Sequence, residues 1–453
     1  MPLNFYRFLI KIFLVFIVLF VQNTTAQNNF KFPDNLKRSK INFKLVNNLI
    51  IVPVNINGVE LSFILDTGVG STIIFSLEDR NTLELRNASK ISLRGLGNDE
   101  PVEAVKSVHN TVKIGDATSN DHTIYLIYDQ TINFSPRMGF PIHGIIGYDF
   151  FKDFAVEISY SKNKIYAVPS QKFEFKKCKK CYQADLRFLD GKRPFMDIKH
   201  LTAVGIVNLN LLIDSGSGSG LWLFENPDLG IEVPQNSFKD YLGRGFSGDI
   251  YGRNSKISSL NIGPFELRNV TTSFPDSIHL AEISVKERQG SIGAAVLKRF
   301  NVILDYQKRK ISFKKNKFFN KPFNYNMSGL TVQHNGKILS KKPDFRKVNQ
   351  AGFNVVKDNS GKIKSINAIE DILLEYALQP RYEIIEIRPG SPGDKAGILK
   401  GDVIIGVNGR DSSRYSLSEI NDLFYSEEGK KIKLTIDRGG VVMTFTFFLE
   451  KVI

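Results

Sequence analysis

Two aspartates in this chain follow apolar runs of similar sequence, 61–65 and 209–213. Each precedes a hydroxyl residue and a glycine, in the triplets Asp66-Thr67-Gly68 and Asp214-Ser215-Gly216. Two carboxyl groups held side by side in apolar surroundings cannot both ionise, so they share one proton. The ionised member then deprotonates a bound water, and the protonated member polarises a carbonyl. The pair therefore predicts acid–base hydrolysis.

The residues after each aspartate suit the close approach of two negative groups. The hydroxyl of Thr67 or Ser215 can hydrogen-bond to the backbone of the other triplet and fix the separation. Gly68 and Gly216 have no Cβ, so backbone N–H groups can crowd the carboxylates and donate to them. We expect these four residues to support the pair.

The two aspartates belong to a longer internal repeat. They lie 148 positions apart, and three further blocks recur in the same order at nearly that offset: 95–97 with 243–245, 112–115 with 260–263, and 144–154 with 290–300. Runs rich in β-branched residues, such as 49–56 and 61–65 around Asn57-Gly58, are typical of strand hairpins. The repeat predicts two copies of one mostly β lobe.

Glycine-rich segments follow each aspartate by about thirty residues. The candidates for a mobile hairpin flap over the carboxylates are Gly95 and Gly97 in the first copy and Gly243 and Gly245 in the second. A flap would exclude water and hold an extended substrate. An ordinary exposed turn is the alternative for each.

These motifs resemble the retropepsin-like and pepsin-like aspartic peptidases, in a two-lobed single-chain bacterial form. The resemblance covers residues 40–315 and includes the apolar-apolar-Gly element at 145–147, with a weaker counterpart at 291–293 that begins with Ser291. It implies two pseudo-symmetric β-barrel lobes, Asp66 and Asp214 as the catalytic pair, a polypeptide substrate, and no cofactor or metal.

The C-terminal part has a different composition and does not continue the repeat. Residues 389–409 are dense in turn signals, and 416–419 read as a helix capping box. This part resembles the PDZ domains of secreted bacterial proteases, which bind a chain end by strand addition beside a helix. The resemblance implies a carboxylate-binding loop at Met327, Ser328, Gly329 and Leu330. An insertion at 333–380, with a helix predicted at 366–378, leaves a purely structural PDZ module as the alternative.

The first residues predict export. Arg7 and Lys11 precede an apolar run at 12–21, and small residues precede Gln27. This pattern is typical of a cleaved signal peptide covering 1–26. We expect a bacterial periplasmic, cell-envelope or secreted protein with no stable membrane span after cleavage. The predicted domains then follow as lobe one at 27–168, a basic linker at 169–184, lobe two at 185–316 and the PDZ-like module at 317–453.

Composition excludes several classes of protein. A hydrophobic content of 42% in 453 residues excludes global disorder, and two cysteines exclude a disulfide scaffold. Despite the net charge of +15, the basic runs at 172–180 and 308–321 read as solvated linkers, so nucleic acid is not an expected partner. Cys178 and Cys181 predict a local disulfide rather than a metal site or redox catalysis.

Two rival functions stay open at this stage. A catalytically inactive peptide-binding protein of the same fold would explain Ser291 and the PDZ module, although a binder needs neither carboxylate. A structural envelope protein would use the basic runs to dock on anionic surfaces. The sequence favours a secreted aspartic endopeptidase whose PDZ module binds a substrate or a partner's C-terminal peptide.

Overall fold

The structure is a computed structural model that describes residues 29–75, 77, 82–93, 102–127, 133–189, 191–202, 204–245, 248–280, 287–343, 352–369 and 374–453. The described chain forms two compact units, the first made of residues up to 133 together with 142–322, and the second of 134–141 together with 323–453. The predicted signal peptide lies outside the described residues. Among the residues that are described, no helix is long and apolar enough to cross a membrane.

Strands make up most of the first unit. They are β1 (Ser39–Asn42), β2 (Lys44–Val46), β3 (Leu49–Ile56), β4 (Val59–Leu65), β5 (Thr72–Ile74), β6 (Ser89–Leu93), β7 (Val102–Ile114), β8 (Ala117–Ile127), β9 (Gly144–Ile146), β10 (Phe154–Ser159), β11 (Lys164–Pro169), β12 (Cys181–Asp185), β13 (Arg187–Phe188), β14 (Pro194–Thr202), β15 (Gly205–Asp214), β16 (Leu221–Leu223), β17 (Phe238–Gly245), β18 (Gly248–Ile262), β19 (Phe265–Pro275), β20 (Gly290–Gly293), β21 (Phe300–Asp305) and β22 (Lys310–Lys315).

The second unit contributes the remaining strands, β23 (Leu330–Pro343), β24 (Gly352–Lys357), β25 (Ile363–Ile369), β26 (Leu374–Ile387), β27 (Val403–Val407), β28 (Arg410–Asp411), β29 (Lys431–Arg438) and β30 (Val441–Phe448). The described α-helices are short: α1 (Ser135–Met138), α2 (Tyr148–Phe151), α3 (Ala294–Leu297), α4 (Pro392–Lys395) and α5 (Leu417–Phe424). The protein is mostly β and folds into several sheets, as predicted.

Two sheets of the first unit have the same strand order. One runs β2-β3-β4-β9-β5-β8-β7-β6, and the other runs β13-β14-β15-β20-β16-β19-β18-β17. In each, the strand that leads into an aspartate pairs in parallel with the short strand of the apolar-Gly element, β4 with β9 and β15 with β20. This order is what two copies of one lobe would produce. Descent from an internal duplication stays a prediction.

A third sheet combines strands from both halves of the first unit, in the order β1-β11-β10-β21-β22-β12. Its centre is the antiparallel pair β10 and β21. Part of the basic run 308–321 forms β22. Strand β12, which begins in the expected linker 169–184, pairs beside it. The linker interpretation was wrong here, because buried Ile311 and Phe313 between the lysines fix this segment in the sheet.

The Cys178 and Cys181 sulfurs are joined in a disulfide next to β12. Its Cα atoms are 5.3 Å apart, within the range that a disulfide spans. A bridge across three positions of the chain closes only a small loop, so its effect on the unfolded chain is modest. This state matches the prediction of a local disulfide.

The second unit has its own apolar core beneath the sheet β23-β26-β27-β29-β30. Helix α5 begins with the predicted capping box, in which Ser416 and Glu419 bond each other's backbone N–H, and it buries Leu417, Ile420 and Phe424. The helix predicted at 366–378 is wrong, because the described residues of this range, 366–369 and 374–378, lie in β25 and β26. Strand β26 is instead held by antiparallel pairing to β23 over most of its length.

One assignment could not be predicted from the sequence order. Residues 134–141 lie within the first lobe's sequence, yet they fold with the second unit. Helix α1 is in this segment and contacts β23 and α5.

Candidate active site

The two predicted aspartates sit at the ends of equivalent strands. Asp66 follows β4, and its N–H donates to the carbonyl of Ile146 at 2.8 Å. Asp214 is the last residue of β15 and pairs with Gly293 of β20. Because the fully buried strands β9 and β20 flank them, both aspartates are fixed at the edge of the hydrophobic interior. Asp66 is 8% exposed.

Reciprocal hydrogen bonds join the two triplets. The Thr67 hydroxyl donates to the Ile213 carbonyl at 2.5 Å and accepts from the Ser215 N–H at 3.0 Å. The Ser215 hydroxyl donates to the Leu65 carbonyl at 2.9 Å and accepts from the Thr67 N–H at 3.0 Å. Both side chains are fully buried. This four-bond lock fixes the separation of the aspartates, as the sequence predicts for these hydroxyls.

The glycines bring backbone donors onto the carboxylates. The Gly68 N–H donates to Asp66 Oδ1 at 2.6 Å, and the Gly216 N–H lies 3.1 Å from one oxygen of each aspartate. A Cβ on Gly216 would lie 2.2 Å from the Asp66 carboxyl carbon. Only glycine fits here, because any side chain would displace Asp66.

The electrostatics favour one shared proton. The pKa of Asp66 is raised from 3.8 to about 8, first by burial and then by the negative charge of Asp214. Burial also raises the pKa of Asp214, although the positive charge of Arg288 and N–H donors from Ser217 and Gly216 oppose that rise. A side-chain hydrogen bond links the two carboxyl groups. The positive charge of Arg288 and the added N–H donors therefore favour the negative charge on Asp214 and the shared proton on Asp66.

Two residues near the pair were missed by the sequence analysis. Arg288 is 6% exposed, its Nε donates to the Gly290 carbonyl at 3.2 Å, and its positive charge acts on Asp214. Tyr306 is buried, its hydroxyl lies 3.5 Å from the Thr67 carbonyl, and its ring stacks on Phe151. Arg288 belongs to no repeated motif, and Tyr306 ends a repeated strand block, 302–306, whose counterpart 156–160 ends in Tyr160. Neither pattern places its residue beside the aspartates, so only the folded chain identifies them as neighbours of the pair.

Of the four glycines predicted to form flaps, the structure describes the two in the second half of the first unit. Gly243 and Gly245 lie in β17, which pairs with β18 as a hairpin at the edge of its sheet. Within it, the Tyr241 hydroxyl donates to Asp249 at 3.2 Å and the Tyr241 ring packs against Tyr251. Gly95 and Gly97 lie outside the described residues. A flap role for the four glycines stays a prediction.

The predicted carboxylate loop is already saturated with internal bonds. The Asn326 side-chain oxygen accepts from the N–H groups of Ser328 and Gly329. The Met327 N–H donates to the Phe424 carbonyl, and the Leu330 N–H donates to the Ser328 hydroxyl. A peptide carboxylate would have to replace these partners. The role of this loop in binding a carboxylate stays a prediction.

No group of three or more His, Cys, Asp or Glu side chains in the described part of the chain is placed to hold a metal ion. The groups that donate to the carboxylates include the backbone N–H groups of Gly68 and Gly216, and the charge of Arg288 acts on Asp214. Such an arrangement suits a bound water and a polar substrate group.

Comparison with known families agrees with this geometry. Residues 52–150 match the aspartyl protease family. Residues 383–438 match the PDZ domain family. The first match contains Asp66 and the strand that carries it, and the second contains α4, α5 and the strands between them. No curated protein matches the chain significantly. The chain therefore has a region similar to aspartyl proteases at 52–150 and a region similar to PDZ domains at 383–438, which confirms the two resemblances over these residues.

Proposed function

We propose that the protein is an aspartic endopeptidase that hydrolyses peptide bonds with Asp66 and Asp214. The observation that carries the proposal is that two buried carboxyl groups lie side by side, each at the end of its own strand. The reciprocal hydrogen bonds of the Thr67 and Ser215 hydroxyls hold the two strand ends together. Asp214 accepts a proton from a water held between the carboxyls. Asp66 donates its proton toward the carbonyl oxygen of the scissile bond as the water oxygen attacks the carbonyl carbon.

A substrate would lie extended across the pair. Strand β17 is at the edge of its sheet, and an edge strand offers backbone N–H and C=O groups to an added strand. Backbone pairing would hold peptides of different sequence, while side-chain contacts would select among them. The substrate class supported by this arrangement is an unfolded or extended polypeptide.

Export of the chain is part of this proposal. The disulfide between Cys178 and Cys181 supports it, since such bonds persist outside the reducing cytoplasm. We propose cleavage before Gln27 and a site of action in the periplasm, in the envelope or outside the cell. Mass determination of the N-terminus of protein recovered from the extracytoplasmic fraction tests this. Recovery of the protein only from the cytoplasm would contradict it.

The experiment that tests the enzymatic proposal is digestion of a mixed peptide library by the full chain between pH 3 and pH 9. Cleavage products that carry new free termini, absent with the Asp214→Asn variant, are expected. A folded wild-type protein that binds library peptides without cutting any of them would favour the inactive peptide-binding alternative instead.

The pH profile of cleavage follows from the two raised pKa values. Below the pKa of Asp214 both carboxyls are protonated and no base remains. Above the pKa of Asp66 both are ionised and no acid remains. We expect kcat/KM to fall above about pH 8, by tenfold per pH unit once the shared proton is lost. Initial rates on one library substrate across this range measure the alkaline limb.

A variant of Arg288 tests the acid limb of the pH profile, where kcat/KM falls at low pH, separately from the alkaline limb. Arg288→Gln removes the positive charge that opposes the rise in the Asp214 pKa, so the acid limb should move to higher pH. An acid limb that does not move would show that the Arg288 charge does not act on Asp214. The position of the limb, rather than the maximal rate, is the decisive readout.

A further inference from the structure

We propose that residues 134–141 act as an internal ligand of the PDZ domain and keep its peptide groove closed to other peptides. The segment lies between β8 and β9 in the chain, but it folds with the second unit. There, α1 contacts both β23 and α5. This strand and this helix are the two elements between which a PDZ domain holds its peptide.

The segment has a defined shape in the groove. Pro136 occupies the first turn of α1, where its fixed φ suits a helix start. Gly139 ends the helix with φ of +77°, and its N–H donates to the Ser135 carbonyl at 2.9 Å. A single helical turn does not persist alone in water, because helix nucleation is unfavourable. The order of α1 must therefore come from its contacts with the domain.

Gly139 lies against the start of α5. A Cβ on Gly139 would lie 2.7 Å from the Cβ of Leu417, closer than real side chains approach. Leu417 is 1% exposed and belongs to the core of the second unit. Because residue 139 has no side chain, residues 134–141 can pack closely against α5.

The carboxylate loop supports an internal ligand over a free chain end. Its N–H groups at 327–330 already bond to Asn326, Phe424 and Ser328. A C-terminal carboxylate would have to break these bonds before it could bind. A segment in the middle of a chain carries no carboxylate and leaves them intact. The matching ligand is therefore an internal peptide with a helical turn that ends in glycine.

Covalent attachment makes this ligand hard to displace. Strand β9 begins three residues after Pro141. Just before it, the His143 N–H donates to the Ser62 carbonyl and the His143 ring Nδ1 accepts from the Ser62 N–H. A tethered segment competes at an effective concentration that reaches the millimolar range for short tethers. A free peptide of the same sequence should therefore bind the wild-type chain poorly.

The test uses the full chain and two glycine variants. Gly139→Ala introduces the contact with Leu417. Gly429→Ala is the matched control, since Gly429 also has φ of +77° and a Cβ there would meet nothing within 4 Å. Amide hydrogen exchange of residues 134–139 should speed up at least about tenfold in Gly139→Ala, because docking alone protects this turn. It should not change in Gly429→Ala.

The second readout is binding of a fluorescent peptide with the sequence of residues 133–141. We expect at least about tenfold tighter binding to Gly139→Ala than to wild type or to Gly429→Ala, because the internal competitor is lost. Equal exchange in all three proteins, equal peptide binding, or no binding to any of them would overturn the proposal. Neither readout requires peptidase activity, so failure here is distinguishable from failure of the proposed function.

Discussion

Replacing Asp214 with Asn is expected to lower kcat by at least about 1,000-fold, because the variant has no base to take the proton of the attacking water. Asp66→Asn should have a similar effect, since the amide cannot pass a proton to the carbonyl oxygen. Steady-state cleavage of one peptide from the library at pH 6 measures both effects. Combining the two changes should cost little more than either alone, because the carboxyls act as a unit.

A control carboxyl and a stability measurement accompany this prediction. Asp153 is another shielded carboxyl of the first unit, with its pKa raised to about 6 mainly by burial. Asp153→Asn should keep activity within about threefold, since Asp153 lies outside the proposed proton transfers. Activity above a tenth of wild type in either Asp66→Asn or Asp214→Asn would rule out the proposed mechanism.

Stability should move in the opposite direction from activity. The pKa of Asp66 is raised in the folded chain, so the folded state keeps a proton that the unfolded chain releases. The stability linked to that proton is fully present below about pH 4 and is lost as the pH rises to about 8. Asp66→Asn removes this loss, so at pH 8 the variant should unfold at a temperature at least as high as wild type.

The second large effect is expected from Thr67→Val, which keeps the shape of the side chain and removes its hydroxyl. The buried Ile213 carbonyl and Ser215 N–H would each lose a partner. An unsatisfied buried group costs about 1–3 kcal/mol, so unfolding of the first unit should become easier by about 2–6 kcal/mol. Urea unfolding, monitored by the hydrogen exchange of amides in β4 and β15, measures the stability of the first unit separately from that of the second.

Thr67→Ser is the matched control, because it retains the hydroxyl and should restore most of the lost stability. Ser215→Ala removes the partner hydroxyl and should resemble Thr67→Val in both stability and activity. Activity should fall with stability in these variants, since the lock sets the separation of the two carboxyls. Equal stability of Thr67→Val and wild type would mean that the reciprocal bonds do not hold the triplets together.

Much of the candidate site could be predicted because its parts are local and repeated. An apolar strand that ends in Asp, a hydroxyl residue and Gly is a pattern of neighbouring residues, and finding it twice in order predicted that Asp66 and Asp214 would meet. The capping box before α5 is equally local, since Ser416 bonds only to residues three positions away. Interactions of this short range are visible in the residue pattern itself.

Predictions failed where distant pairing overrode local preference. Residues 366–378 have a helix-like pattern, yet β26 is held in extended form by its partner β23. Residues 310–315 read as a charged linker, but Ile311 and Phe313 gain more by burial in the central sheet than the lysines lose beside them. In each case the partner strand lies too far away in sequence for a local pattern to reveal it.

By itself, therefore, the sequence determined the two aspartate triplets, the mostly β fold and the PDZ-like module, since each depends on residues within a short span. Only the tertiary structure decided that Arg288 and Tyr306 adjoin the carboxyl pair, that the loop at 327–330 is saturated, and that residues 134–141 fold with the second unit. The physical reason is that electrostatic fields, saturation of hydrogen bonds and groove occupancy depend on distances through space, which separation along the chain does not encode.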